Sequence, residues 1–285
     1  MSYFILLKDK FLHQLQKLYD EREILSIFHL YLLEKWNISK TDVYTKNDKI
    51  NFLDTEEIEK DIIRLKQGEP VQYIIGKSSF YGFSVLVNPS VLIPRQETEE
   101  LVNLIISENQ NKENLTILDF GTGSGIIAIA LAKNLKNAKV SAVDISEEAL
   151  QKASQNAYLN NVSIYFFQFD ILHDSFEKHG RKYDIIVSNP PYIPESERNN
   201  LHKNVTDFEP PQALFVPDDD PLVFYRKILE TGKNLLASTG KIYFETHENF
   251  HNEIETLALK MGYLRIRKMK DINGKSRFVK CESCK

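Results

Sequence analysis

Residues 116–132 read TILDFGTGSGIIAIALA. A β-branched and aromatic run enters a turn with three alternate glycines and leaves it as an apolar helical run, the pattern of a strand passing through a tight turn into a helix. Gly121, Gly123 and Gly125 allow that turn and a close approach of backbone to a ligand. A dinucleotide fingerprint would put its third glycine at position 126, where Ile126 stands. A phosphate-binding loop would end in Gly-Lys-Ser/Thr, which is absent.

Charge narrows the ligand. Asp119 stands two positions before Gly121, where a carboxylate repels a pyrophosphate and attracts a cation. S-adenosylmethionine carries both an ammonium and a sulfonium, so the loop, with Thr122 and Ser124 between its glycines, is predicted to hold that cofactor rather than NAD. The next strand, KVSAVD, ends at Asp144, about 20 residues on, where an acid is placed to accept both ribose hydroxyls. Ser146 is the expected N-cap of the helix that follows, which divides the two roles. The third strand ends in FQFDIL, where Asp170 could accept from an adenine amino group and Ile171 could pack on the ring. An aspartate at a strand end is equally often a turn residue.

Working outward, TILDF, KVSAVD, SIYFFQFD, YDIIVSN, GKIYFET, YLRIRKMKD and KSRFVKC read as strands, and helical patterns fall between most of them. Such alternation predicts an α/β, Rossmann-like fold: a mostly parallel sheet covered on both faces, with ligands at the carboxyl ends of its strands. Before it the texture differs. Ile24, Ile27, Phe28, Tyr31 and Leu32 follow the spacing of one buried helix face, and Asp54 with Glu57 three residues on is a capping-box start. Residues 1–70 are therefore read as an N-terminal helical domain, which serves substrate recognition or simply packs. Gly68 and Pro70 end its last helix, YIIGKSSFYGFSVLV suggests a β-hairpin linker over 71–95, and residues 96–285 form the catalytic domain.

The fourth strand runs into Asn189, Pro190, Pro191 and Tyr192. Such a motif suits an NH2 group whose lone pair is delocalised into a carbonyl or an aromatic ring, a poor nucleophile. The Asn189 side-chain oxygen and the Pro190 carbonyl can each accept one of its hydrogens, turning the lone pair toward an incoming methyl. Positioning and oriented dipoles then carry the rate. The prolines stiffen the corner, and Tyr192 offers a flat face for the planar group. Two prolines that merely end a strand explain the motif poorly once it follows a glycine loop and a ribose-type acid.

The 285 residues are 42% hydrophobic and 27% charged, with net charge −4. That balance is ordinary for a globular protein and weighs against a nucleic-acid grip, which usually needs a basic face. No apolar run approaches the roughly 18 residues of a membrane span, and no signal peptide is legible, so a cytoplasmic protein is expected. Cys281 and Cys284 form one CxxC pair, whereas a structural zinc site wants four ligands. They are read as an inert, frayed tail, and no metal is expected.

Together these residues resemble the HemK/PrmC family of peptide chain release factor glutamine methyltransferases. The resemblance runs over roughly residues 60–280 and includes GEPVQYIIG (68–76), FYGFSV, LIPRQETEELV, GTGSG, NPPYI, FEPPQAL (208–214) and DINGKSRFV (271–279). It implies a seven-stranded catalytic domain joined by a hairpin to a helical one. It also implies cofactor contacts from Gly121 to Gly125, Asp144, Ile171 and Asn189, and a glutamine held by Asn189 to Tyr192. The substrate it implies is the glutamine of the Gly-Gly-Gln tip of class I release factors. No direct nucleic-acid partner and a monomeric enzyme are expected, although no residue pattern speaks to oligomeric state. Gln96 replaces the usual proline of RPETE, an aromatic residue is frequent where Ile171 stands, and VPDDDPL (216–222) replaces a glycine-containing turn. Three rivals share features. An adenine-specific DNA or RNA methyltransferase would use the same corner but needs base-flipping and recognition elements, and the chain after Tyr192 is consumed by the sheet. A ribosomal-protein glutamine methyltransferase shares the motifs, and the helical N-domain and the ETE helix lean against it. A non-catalytic adaptor would have lost part of NPPY or of the glycine loop.

Overall fold

The computed structural model describes residues 3–45, 53–176 and 181–283. Five helices come first: α1 (Tyr3–Leu15), α2 (Glu21–Trp36), α3 (Lys40–Thr45), α4 (Thr55–Lys66) and α5 (Val71–Ile75). The hairpin β1 (Lys77–Phe80) and β2 (Phe83–Leu86) and helix α6 (Gln96–Asn109) follow. Next come β3 (Thr116–Phe120), α7 (Ile126–Asn134), β4 (Lys139–Asp144), α8 (Glu147–Leu159), β5 (Ile164–Gln168) and β6 (Tyr183–Ser188). The short elements β7 (Ile193–Pro194), α9 (Lys203–Thr206) and β8 (Phe215–Val216) lead to α10 (Val223–Leu235), β9 (Leu236–Glu245), α11 (His251–Lys260), β10 (Leu264–Lys270) and β11 (Ser276–Glu282).

The chain divides into two compact units, residues 1–77 with 202–208, and residues 78–201 with 209–285. In the first, Ile24, Ile27, Phe28, Tyr31 and Leu32 are the buried face of α2, as their spacing predicts. Asp54 caps α4 by accepting from the backbone N–H groups of Glu56 and Glu57, which satisfies donors that a helix start leaves orphaned. The expected hairpin begins later than its texture suggests. Residues 71–75 form a helical turn because Pro70 fixes its entry, Gly76 ends it in the left-handed region at φ +81°, and Val71, Tyr73 and Ile74 bury themselves. Packing outweighs β propensity there.

In the second unit Tyr81 and Gly82 both take positive φ, the geometry of a two-residue turn matched to strand twist. Strands β3 to β6 and β9 run parallel, with β11 antiparallel between β9 and β10, in the order β10-β11-β9-β6-β3-β4-β5. Central strands β3 and β6 are buried almost throughout, as strands covered on both faces must be. Helices α6, α7 and α8 pack together along one side and α10 and α11 along the other. This is the mixed seven-stranded sheet expected from the sequence. Strand order reverses beside β3, which aims the ends of β3, β4 and β6 at one crevice.

The tail is not frayed as expected. Cys281 lies in β11, paired with Ile242 of β9 and fully buried, and burial pushes its thiol up. A strand paired on both sides, by β9 and β10, holds it rather than a free end. Cys284 lies outside the described residues. No helix among the described residues is long and apolar enough to cross a membrane.

Candidate active site

A cavity of about 280 Å³ opens at the carboxyl ends of β3, β4 and β6, lined by the glycine loop, Asp144, Asp170, Ile171, Asn189, Pro190 and Pro191. It lies wholly within the second unit.

The loop is built by backbone conformation. Gly121, Gly123 and Gly125 have φ of +69°, +53° and +85°, where side chains are strained. A Cβ on Gly121 or Gly123 would meet nothing within 4 Å, so both backbones border open space, whereas one on Gly125 would sit 3.1 Å from Cβ of Ala153 in α8. Two glycines thus leave room for a ligand and the third lets α7 pack against α8. Asp144 accepts from Gly123 N at 2.8 Å and Ser146 N at 3.0 Å, one bond per oxygen. Each oxygen keeps acceptor capacity for a diol. Burial raises its pKa, against those N–H bonds. Ser146 caps α8 by accepting from Ala149 N, as expected from the sequence.

Asp119 is placed differently. It is fully buried, accepts the Thr122 hydroxyl at 2.7 Å through Oδ2, and leaves Oδ1 unpartnered. It does not line the cavity but lies behind the loop. Burial first, then Asp144, pushes its carboxyl up to about 7 while Thr122 opposes. The open contact with a ligand expected of Asp119 is therefore not what the structure shows: the loop stands between its carboxyl and the cavity. Thr122 and Ser124 do line the cavity.

Asp170 also reaches the cavity, and its oxygens accept from Leu172 N at 2.8 Å and meet His173 Nδ1 at 2.7 Å. Burial opposes its ionisation, but those partners outweigh it and its pKa falls. Its turn-forming role is therefore visible in the hydrogen bonds. Ile171 lines the same wall.

At the end of β6, the Asn189 side-chain Nδ2 donates to Thr98 Oγ1 at 3.2 Å. Thr98 donates its hydroxyl to Glu245 Oε2 at 2.7 Å, and Tyr192 donates to Glu245 Oε1 at 3.2 Å. The Asn189 amide oxygen and the Pro190 carbonyl receive no hydrogen bond from the described residues. Leu214 O accepts from both Tyr192 N and Ile193 N, which ties the exit of the corner to the FEPPQAL segment. Tyr192 itself does not line the cavity. Its hydroxyl is spent on Glu245 and its ring stands edge-on to His247.

Four residues of this framework lie outside the sequence reading. Thr98 and Glu245 are nearly fully buried. The signals for them were a threonine in the first turn of the ETE helix and an acid ending the strand beside the NPPY strand. Asn156 in α8 binds Leu86 N and O and Ser124 O, fastening the hairpin to the glycine loop. Glu209 accepts from Ile93 N at 3.1 Å and pairs with Arg95, which holds that guanidinium at the cavity wall.

The cradle fits S-adenosylmethionine: open backbone at two glycines, Asp144 oxygens with acceptor capacity to spare, and one buried acid, Asp119, behind the loop. Comparisons with known proteins agree. Residues 94–207 match the methyltransferase small domain and residues 8–76 match the PrmC N-terminal domain. A release factor glutamine methyltransferase of Flavobacterium psychrophilum is 43% identical, covering 96% of each chain. One from Bacteroides thetaiotaomicron is 44% identical, covering 93% of this chain and 95% of the relative. A crystal structure of a methyltransferase from Pyrococcus furiosus shares the fold at a TM-score of 0.51 and 20% identity, over 72% of this chain and 91% of that one. The glycine cradle, the asparagine–proline corner and near full-length relatives place this chain in the PrmC family of release factor glutamine methyltransferases, enzymes that use S-adenosyl-L-methionine.

Proposed function

We propose that this chain methylates the side-chain amide of the glutamine in the Gly-Gly-Gln tip of a class I release factor, as a monomer in the cytoplasm. The observation that carries this reading is the asymmetry at Asn189. Its NH2 is engaged by Thr98, which leaves its oxygen to accept, and Asn189 and Pro190 both line the cavity.

S-adenosyl-L-methionine supplies an electrophilic methyl on a cationic sulfur. Gly121 to Gly125 and Asp144 would hold it, with Asp170 and Ile171 along the adenine side, while Asp119 stands buried behind the loop against Thr122. Asn189 and Pro190 take the two amide hydrogens, turn the nitrogen lone pair out of conjugation and aim it at that methyl. Pro190 and Pro191 have fixed φ, which keeps the carbonyl aimed. Tyr192 acts from behind the corner through Glu245. Methyl transfer would move the positive charge from sulfur to the amide nitrogen, whose N–H is then acidic enough to lose its proton to solvent without a strong base. The apolar walls exclude water, which strengthens each dipole. The N-terminal helical unit recognises the body of the factor, a role supported by its match to the PrmC N-terminal domain.

Incubation with labelled cofactor and a class I release factor, followed by peptide mapping, tests this directly. Label is expected on the Gly-Gly-Gln glutamine. Label on nucleic acid with none on the factor would transfer the reading to adenine methylation.

A further inference from the structure

We propose that Glu245, acting through Thr98, sets which end of the Asn189 amide faces the substrate, and that turnover therefore requires the Glu245 carboxylate to be ionised. The inference rests on Asn189 accepting the substrate N–H. It makes Thr98 and Glu245 positioning residues.

The two ends of an asparagine amide are nearly identical in size, so packing cannot distinguish them and hydrogen bonds must. A threonine hydroxyl has one proton. Thr98 gives it to Glu245 at 2.7 Å and can then only accept from Asn189, which it does at 3.2 Å. Polarity runs one way: Asn189 N–H to Thr98, Thr98 O–H to carboxylate. Thr98 and Glu245 are about 1% exposed, so no bulk water supplies a substitute proton. Protonating Glu245 makes it a donor to Thr98 and frees the threonine proton for the Asn189 oxygen. The amide then turns its NH2 to the cavity, where it meets the substrate NH2 donor to donor.

The surroundings place this switch near neutrality. Burial drives the Glu245 carboxyl up to about 7, against the Thr98 hydroxyl, Arg277 of β11 and the Tyr192 hydroxyl, while Glu97 of α6 pushes it further up. From α10, Tyr225 donates its hydroxyl to the Glu245 backbone carbonyl at 3.1 Å. Arg277 and Arg95 also act on Tyr192. Glu245 is thus charged above about 7 and protonated below it, and activity is lost as pH falls through that value. Asp119 titrates in the same range, so the limb must be assigned by substitution.

The test measures kcat and KM against pH for the wild type, Glu245→Gln, Thr98→Val and Thr98→Ser. Glu245→Gln and Thr98→Val are expected to lose about 10- to 100-fold in kcat, less than the roughly 100- to 1,000-fold cost of deleting a preorganised group, because the dipole is misdirected rather than removed. KM for cofactor and for release factor should change little, the signature of an interaction made in the transition state. Thr98→Ser keeps the hydroxyl and should restore most of kcat. The acid limb of kcat/KM near pH 7 should vanish in Glu245→Gln. Independently of turnover, the side-chain 15N–1H2 resonances of Asn189 should shift with the same midpoint in the wild type and stay fixed in Glu245→Gln. Wild-type kcat with an unchanged acid limb in Glu245→Gln, or Asn189 resonances indifferent to pH, would overturn the proposal. Should Glu245→Gln fail to fold, equal kcat in Thr98→Val and Thr98→Ser would overturn it as well. Retention of turnover by Asn189→Ala would instead sink the acceptor reading on which the proposal stands.

Discussion

The glycine loop and the asparagine–proline corner face one cavity but are built by different means. The loop is local. Its three left-handed residues, its acid at Asp144 and its packing partner Ala153 lie within one strand–helix–strand–helix run. The corner depends on distant chain: Thr98 in α6, Leu214 beyond the NPPY segment and Glu245 at the end of β9. A site written in backbone conformation is set by its own sequence, whereas a site written in side-chain polarity is set by whatever the fold brings behind it.

Substitutions can break that comparison, and the largest effect belongs to the corner. Asn189→Ala removes one of two acceptors and is expected to lower turnover by about 100- to 1,000-fold, the usual cost of deleting one preorganised group. Cofactor affinity, measured by calorimetry, should remain within about one order of magnitude. Loss of binding together with turnover would show that the two halves are not separate.

Next comes Gly125→Ala. A side chain at φ +85° costs about 1–2 kcal/mol, and its Cβ would press on Ala153 at 3.1 Å, so thermal unfolding should reveal a loss of about 2–3 kcal/mol. Gly121→Ala shares the strain but meets open space. It should spare more stability while weakening cofactor binding. Equal loss of stability in both would deny the third glycine its packing role.

Asp144→Ala is the gentler probe. It strands the N–H groups of Gly123 and Ser146 and removes the diol acceptor, and it should weaken cofactor binding by about 1–3 kcal/mol. Unchanged affinity in calorimetry would remove Asp144 from the site.

These differences explain what was legible in the sequence. The sheet strands, the buried face of α2 and the cap at Asp54 follow from periodicity and local hydrogen bonding, and they appear where the spacing puts them. The start of the hairpin was misplaced because Val71, Tyr73 and Ile74 have β texture but are buried as a helical turn. Cys281 was misjudged because a position near the end of the chain hides its place as a paired strand. Thr98, Asn156, Glu209 and Glu245 could not be assigned partners, since each bond spans a long stretch of sequence that only the folded sheet closes. Asp119 is read from the sequence as a cofactor-binding acid at the mouth of the loop, whereas its burial behind Thr122, off the cavity lining, depends on the depth of β3 in the sheet.

The account turns on two acceptors each holding one hydrogen of the same nitrogen. A glutamine that already carries one methyl has only one N–H left to give. Mass spectrometry of the Gly-Gly-Gln peptide after prolonged incubation with excess cofactor therefore tests it most directly. The account predicts that methylation stops at one methyl on that nitrogen. Accumulation of dimethylated glutamine would contradict it.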